Sequence, residues 1–210
     1  LHMGTLAAIL VYFYNDLKQL LLEFIKGEND AKNSVLFLII ATLPAVCSGL
    51  VLQETIESTF TIAIVKWMFM ITGLVVGGTY FFKNRPNRKM VLMIAFCIGL
   101  AQTFALLPGI SRSGITISVA LIMGIQHHKA AKFAFFMAIP VLLGAGFLQV
   151  ISFEPQINFS TTPLIVGFIS SAVTGYLVIS WLLDVISRGK FYLFSLYCFV
   201  VSFLAFTFIS

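Results

Sequence analysis

Of the 210 residues, 60% are hydrophobic and only 10% are charged, and the mean hydropathy is +1.03; a soluble domain carries about 25% charged residues, so a soluble globular fold is excluded. The net charge of +5 comes from Lys and Arg gathered in short loops, a topology signal and not the basic stripe with interleaved aromatics that would favour nucleic acid. Cys47, Cys97 and Cys198 are odd in number, far apart and set in apolar runs, so neither a disulfide framework nor a zinc site is expected.

Apolar runs long enough for a hydrocarbon core of roughly 30 Å succeed one another without a soluble block, so a single membrane domain over 1–210 is expected. Residues 3–14 are apolar and lead into NDLKQLLLEFIKGENDAKN, where leucines at helical spacing alternate with charges, as in an interfacial amphipathic segment. Spans are expected from Ser34 to Leu52, with Pro44 inside, and from Phe60 to Phe82, separated by a polar turn, QETIEST, at 53–59. The basic loop KNRPNRK at 83–89 precedes an apolar helix from Met90 to Leu107 and a shorter one from Ile115 to Ile125. A polar loop, QHHKAAK, at 126–132 is followed by spans from Phe133 to Phe153, Leu164 to Ile186 and Phe191 to Ile209. The expected class is all-α, a polytopic membrane bundle of about six spans plus a re-entrant helical hairpin.

Loop charge orients the chain. Loops 83–89, 126–132 and 187–190 hold four, two and two Lys or Arg residues, whereas 53–59 and 154–162 hold none, which places the basic loops on the cytoplasmic side. Both arms flanking ALLPGISRSGITIS, residues 105–118, therefore begin on that side. The second arm, about eleven to thirteen residues or 17–20 Å long, is too short for a comfortable crossing, hence the hairpin. Small residues recur at helix-packing spacing, Gly73 with Gly77 and Gly167 with Ser171 and Gly175; packing inside one bundle is expected, the alternative being a face for a homodimer. Trp67, Tyr12, Tyr14, Tyr80 and Tyr192 near span ends suit an interfacial aromatic belt.

Within the hairpin, Arg112 is the leading functional candidate. An arginine at membrane depth costs about 2.5–3.5 kcal/mol on insertion scales and faces a partner or an aqueous cavity, and its planar fork matches phosphate oxygens at two points. Pro108 and Gly109 turn the chain, Gly109 and Gly114 admit a close approach of backbone N–H groups, and Ser111 and Ser113 add hydroxyls. With a helix starting near Gly114 or Ile115, Ser113 is the expected N-cap and Thr116 a third hydroxyl of the cradle. The alternative is that Arg112 snorkels to headgroups, as Lys66 is expected to do. His127 and His128 read as a solvated turn more than a metal site. Gln102 is expected to line the cavity or bond between helices, and Asp184 to pair with Arg188.

The sequence resembles the undecaprenyl-diphosphate phosphatase family, the BacA-type bacitracin-resistance proteins. The family signature is complete in Pro108, Gly109, Ser111, Arg112, Ser113, Gly114 and Thr116, and GLAQTFALLPGISRSGITIS, AAKFAFFMAIPVLLGA and LHMGTLAAILVYFYNDL also match, so that the resemblance covers essentially the whole chain. It implies a bacterial multi-pass cell-membrane hydrolase that converts undecaprenyl diphosphate to the monophosphate for peptidoglycan synthesis, with inverted repeats and an active site open to the outer side. Carried over, Ser111, Arg112 and Thr116 are the catalytic residues, and Gly109, Arg112, Ser113 and Gly114 bind the phosphates. The family also has a glutamate-rich signature, followed by Pro-Ile-Ser-Ser and a histidine, where Mg2+ or Ca2+ would bind. Nothing in this chain matches it, so no metal ligand is assigned here, and the chain is expected to lack about the first fifth of the family domain and to turn over poorly alone. The competing expectations are a transporter or flippase of the polyprenyl phosphate carrier, since inverted repeats and broken helices also build transporters, and a structural membrane subunit.

Overall fold

A computed structural model describes residues 1–82, 87–151 and 162–208. Lys83 and Arg85 of the basic loop, and 154–161 of the loop expected outside, lie beyond the described residues. In chain order the helices are α1 (His2–Tyr12), α2 (Tyr14–Ile25), α3 (Asn29–Val51), α4 (Gln53–Ser58), α5 (Ile62–Gly78), α6 (Leu92–Phe104), α7 (Arg112–Ile122), α8 (His127–Ile151), α9 (Thr162–Ser187) and α10 (Phe194–Phe208). Single 3-10 turns extend α5 over Thr79–Phe82 and precede α10 over Phe191–Leu193. Pro44 in α3 and Pro140 in α8 lie inside long apolar helices, a position that membrane helices tolerate.

The all-α membrane class expected from the sequence holds. Among the described residues five helices are long and apolar enough to cross a membrane, at Asn29–Val51, Ile62–Phe82, His127–Phe147, Thr162–Ser187 and Phe191–Phe208; His2–Tyr12, Leu92–Phe104 and Arg112–Ile122 are shorter. The shortfall from about six spans lies at the N-terminal run, where Phe13 leaves helical geometry (φ −97°, ψ 19°) between α1 and α2. Two expected loops are helical. QETIEST forms α4, and QHHKAAK supplies the first turns of α8, because a glycine stop ends α7 so tightly that only a few residues separate the two helices. His128 and Lys129 stay exposed there while Ala130 and Ala131 turn inward.

The chain forms two compact units, Leu1–Val35 with Phe135–Asp184, and Leu36–Ala134 with Val185–Ser210. In the first, α1 lies against α9. A Cβ on Gly4 would collide with Ser171 and Phe168, and one on Gly175 would come 3.0 Å from Ala8. Phe13 is buried against Phe135 and Phe136, with ring centroids 5.7 and 5.5 Å away. The Gly-Ser-Gly stripe of α9 is therefore an intrachain packing face.

In the second unit α5 is central. Gly73 meets Phe199, Gly77 meets Ser195, and the Ser202 hydroxyl donates to the Lys66 carbonyl at 2.8 Å, so one face of α5 is covered by α10. Lys66 does more than snorkel, since its Nζ stands 4.9 Å from the centroid of the Phe206 ring. Helices α6 and α7 form a hairpin whose base is closed at Gly124 (φ +90°), where Gly124 N–H donates to Leu121 and Ile125 N–H to Ala120. This is a Schellman stop, a left-handed position that suits glycine. The Gly124 carbonyl then accepts from Arg88 N–H at 2.8 Å. Both arms thus start and end at one base, and 13 and 11 residues correspond to about 20 and 17 Å, short of the bilayer core.

Candidate functional site

The hairpin tip is built upward from a turn. Ile110 N–H reaches the Leu107 carbonyl at 3.3 Å across Pro108 and Gly109, and Gly109 has φ +92°, the arrangement in which proline pre-sets the second position of a type II turn and glycine takes the third. The turn is pressed onto α5. A Cβ on Gly109 would lie 2.6 Å from the Val65 carbonyl oxygen and 3.1 Å from Met68. Next, Ser111 N–H donates to Thr72 Oγ1 at 3.3 Å, and Gly114 comes to Val76, where an added Cβ would be 3.4 Å away. Val65, Met68, Thr72 and Val76 recur at i, i+3, i+7 and i+11, one face of a helix. The motif therefore runs along α5 on a face distinct from the one that meets α10.

The first turn of α7 departs from expectation. Ser111, not Ser113, is the N-cap: its backbone is extended (φ −76°, ψ 110°) and its Oγ accepts Gly114 N–H at 3.1 Å. The helix begins at Arg112 instead of Gly114 or Ile115, one residue after the cap whose N–H donates to Thr72. Thr116, expected as a third hydroxyl of the cradle, bonds back to its own helix. It is 1% exposed, and its O–H is spent on the carbonyls of Arg112 (2.8 Å) and Ser113 (3.4 Å), which ties down the turn that carries both residues.

What remains at the tip is a set of donors. The N–H groups of Arg112 and Ser113, at the first two helical positions, have no intrahelical acceptor, and the positive end of α7 adds to their field. Arg112 and Ser113 are half-buried, and among the described residues Arg112 makes no ion pair with a carboxylate. The Ser111 oxygen accepts from Gly114, which leaves its own O–H to donate. An anion with several oxygens fits this arrangement.

Gly109, Ser111, Arg112, Ser113, Gly114 and Thr116 are thus gathered around one helix start, with Gly109 and Gly114 serving close packing. Gln102 sits on α6, on the buried stripe it shares with Ile94, Ala95, Ile98 and Gly99; Gly99 is the point where α6 meets α3, 2.6 Å from the Ala41 carbonyl for an added Cβ. Gln102 is 2% exposed, and neither its Nε2 nor Ser118 Oγ on α7 has a hydrogen-bond partner. His127 and His128 lie beyond the opposite end of α7 from Arg112 and take no part. Among the described residues no three His, Cys, Asp or Glu side chains group to hold a metal ion. Sequence reasoning missed Thr72; its only signal is a hydroxyl beside Gly73 within an apolar run.

Comparison with known proteins matches residues 1–204 to the family described as Bacitracin resistance protein BacA. The chain belongs to this family. The undecaprenyl-diphosphatase of Desulforudis audaxviator is 34% identical over 205 residues, covering 94% of this chain and 76% of that protein. The undecaprenyl-diphosphatase of Caldicellulosiruptor bescii is 35% identical over 209 residues, 96% of this chain and 78% of its own length. That of Geotalea daltonii is 34% identical over 226 residues, all of this chain and 82% of its own. The BacA family resemblance read from the signature around Arg112 is borne out along the chain.

Proposed function

We propose that the chain serves the hydrolysis of undecaprenyl diphosphate to undecaprenyl phosphate and phosphate, the reaction for which the three relatives are named. The observation that supports this reading is the α7 start, where Arg112 is the first helical residue and the Arg112 and Ser113 amides have no intrahelical acceptor, donors suited to a phosphate. Water adds across the P–O–P bond; its oxygen ends on the released phosphate, and the lipid monophosphate leaves with the bridging oxygen. In that step the Arg112 fork holds phosphoryl oxygens, the Arg112 and Ser113 amides take charge as it develops, and the Ser111 hydroxyl donates from the cap. Removing a single preorganised donor of this kind costs on the order of 10²–10³ in kcat.

Gly109 and Gly114 let the loop lie close on α5, and Thr116 keeps the Arg112 carbonyl turned away from the anion. Among the described residues no three His, Cys, Asp or Glu side chains group to hold a metal ion, so no step is assigned to Mg2+ or Ca2+ through this chain's own residues. The short arms and the basic loops on the cytoplasmic side favour a hairpin tip that faces the outer side of a bacterial cell membrane. The regenerated monophosphate would re-enter peptidoglycan synthesis, which links the activity to bacitracin resistance.

None of the three relatives is named for transport. The full-length protein in liposomes containing undecaprenyl diphosphate is expected to release phosphate and accumulate undecaprenyl phosphate. Movement of the lipid between leaflets without phosphate release would replace this reading with carriage.

A further inference from the structure

Thr72 sits in the middle of α5 and is 1% exposed. A hydroxyl in an apolar helix is usually satisfied by the carbonyl three or four residues back, as Thr42, Thr79 and Thr103 are here. The bond made at Thr72 instead spans 39 residues of sequence and accepts the N–H of Ser111. The neighbouring supports of the loop are steric: Val65 and Met68 meet Gly109, and Val76 meets Gly114. Such contacts set how near the loop lies to α5 but not how it is turned about its own axis, because dispersion contacts are non-directional. A hydrogen bond is directional, and this one acts on the residue whose backbone geometry decides where α7 begins.

We propose that Thr72 is a positioning residue for phosphoryl transfer, acting through Ser111. By taking the Ser111 amide it holds the cap in its extended conformation, so that the Ser111 oxygen meets Gly114 N–H and Arg112 becomes the first helical residue. It also removes the Ser111 N–H from the donor set, which leaves the amides of Arg112 and Ser113 to the anion. Without the anchor the Ser111 amide has no acceptor in the turn, and the cap can slide toward Ser113, which would bring Arg112 out of the helix. This role rests on the hydrolase reading above, and misplacing a reactive group by about 1 Å costs on the order of 100-fold.

The test uses the full-length protein in liposomes, with the folded fraction of each variant measured by size-exclusion chromatography so that kcat is counted per folded molecule. Thr72→Val, nearly isosteric, is expected to lower kcat about 10- to 100-fold with KM changed by less than about 3-fold. Thr72→Ser, which keeps the acceptor, is expected to stay within about 3-fold of wild type, and Thr72→Val combined with Ser111→Ala to be no slower than the slower single variant, since the two act as one unit. Should the valine variant not accumulate, Thr72→Ala supplies the same comparison. A wild-type kcat in Thr72→Val, a serine variant as slow as the valine variant, or multiplying losses in the double variant would overturn the positioning role. Wild-type protein that releases no phosphate would overturn the hydrolase reading, and this role with it.

Discussion

The spans at α5 and α9 are similarly apolar, yet a larger share of the first is buried. The difference lies in where small and polar residues stand. On α5, Gly73 and Gly77 receive α10, while Thr72, between Met68 and Val76 on another face, receives the motif loop. On α9, Ser171 and Gly175 receive α1 on a single face, and Val166, Leu177 and Trp181 are 60%, 62% and 58% exposed. In a bilayer an exposed leucine is already at home, so hydropathy places a helix in the membrane without saying what it packs against. The helix that holds the functional loop is marked by side chains that are small, or that carry one hydroxyl where apolar ones would serve.

That contrast can be attacked at either helix. The largest effect on stability is expected at Gly109, where alanine meets both a left-handed backbone, worth about 1–3 kcal/mol for a non-glycine residue, and the Val65 carbonyl. Gly109→Ala should lower the melting temperature in detergent by several degrees and abolish phosphate release; a stable, active variant would show that the loop is not seated on α5. Gly175→Leu in α9 should cost about 1–3 kcal/mol by overpacking against Ala8, visible as a lower melting temperature, and an unchanged melt would deny the α1 contact. The smallest effect is expected at Leu177→Ala, on the exposed side of the same helix, within about 0.5 kcal/mol. A large loss there would mean that α9 has a second covered face.

Much of the fold was legible because composition and loop charge are global signals. The membrane class and the α6–α7 hairpin followed from run lengths and from PGISRSGIT, and the proposal of a phosphate site at Arg112 rests on one cation where none is cheap. The register of α7 was not legible. Ser111 and Ser113 are equally good caps by residue type, and the contact that distinguishes Ser111, its N–H bond to Thr72, comes from 39 residues away. The partner of the Thr116 hydroxyl was not legible for a related reason: a threonine in a first turn either faces outward or bonds back to the helix, and here it donates to the Arg112 and Ser113 carbonyls. The helical QHHKAAK was hidden by its polarity, which suits an exposed first turn as well as a loop.

The most direct measurement is the affinity of farnesyl methylenediphosphonate, which cannot be hydrolysed at the P–C–P bridge, for the full-length protein and for Arg112→Ala. If Arg112 holds the diphosphate at the start of α7, losing its charge-assisted hydrogen bonds should raise Kd by about 100-fold or more, with the fold intact. An unchanged Kd in a folded Arg112→Ala protein would mean that the cation is structural and that the phosphate binds elsewhere.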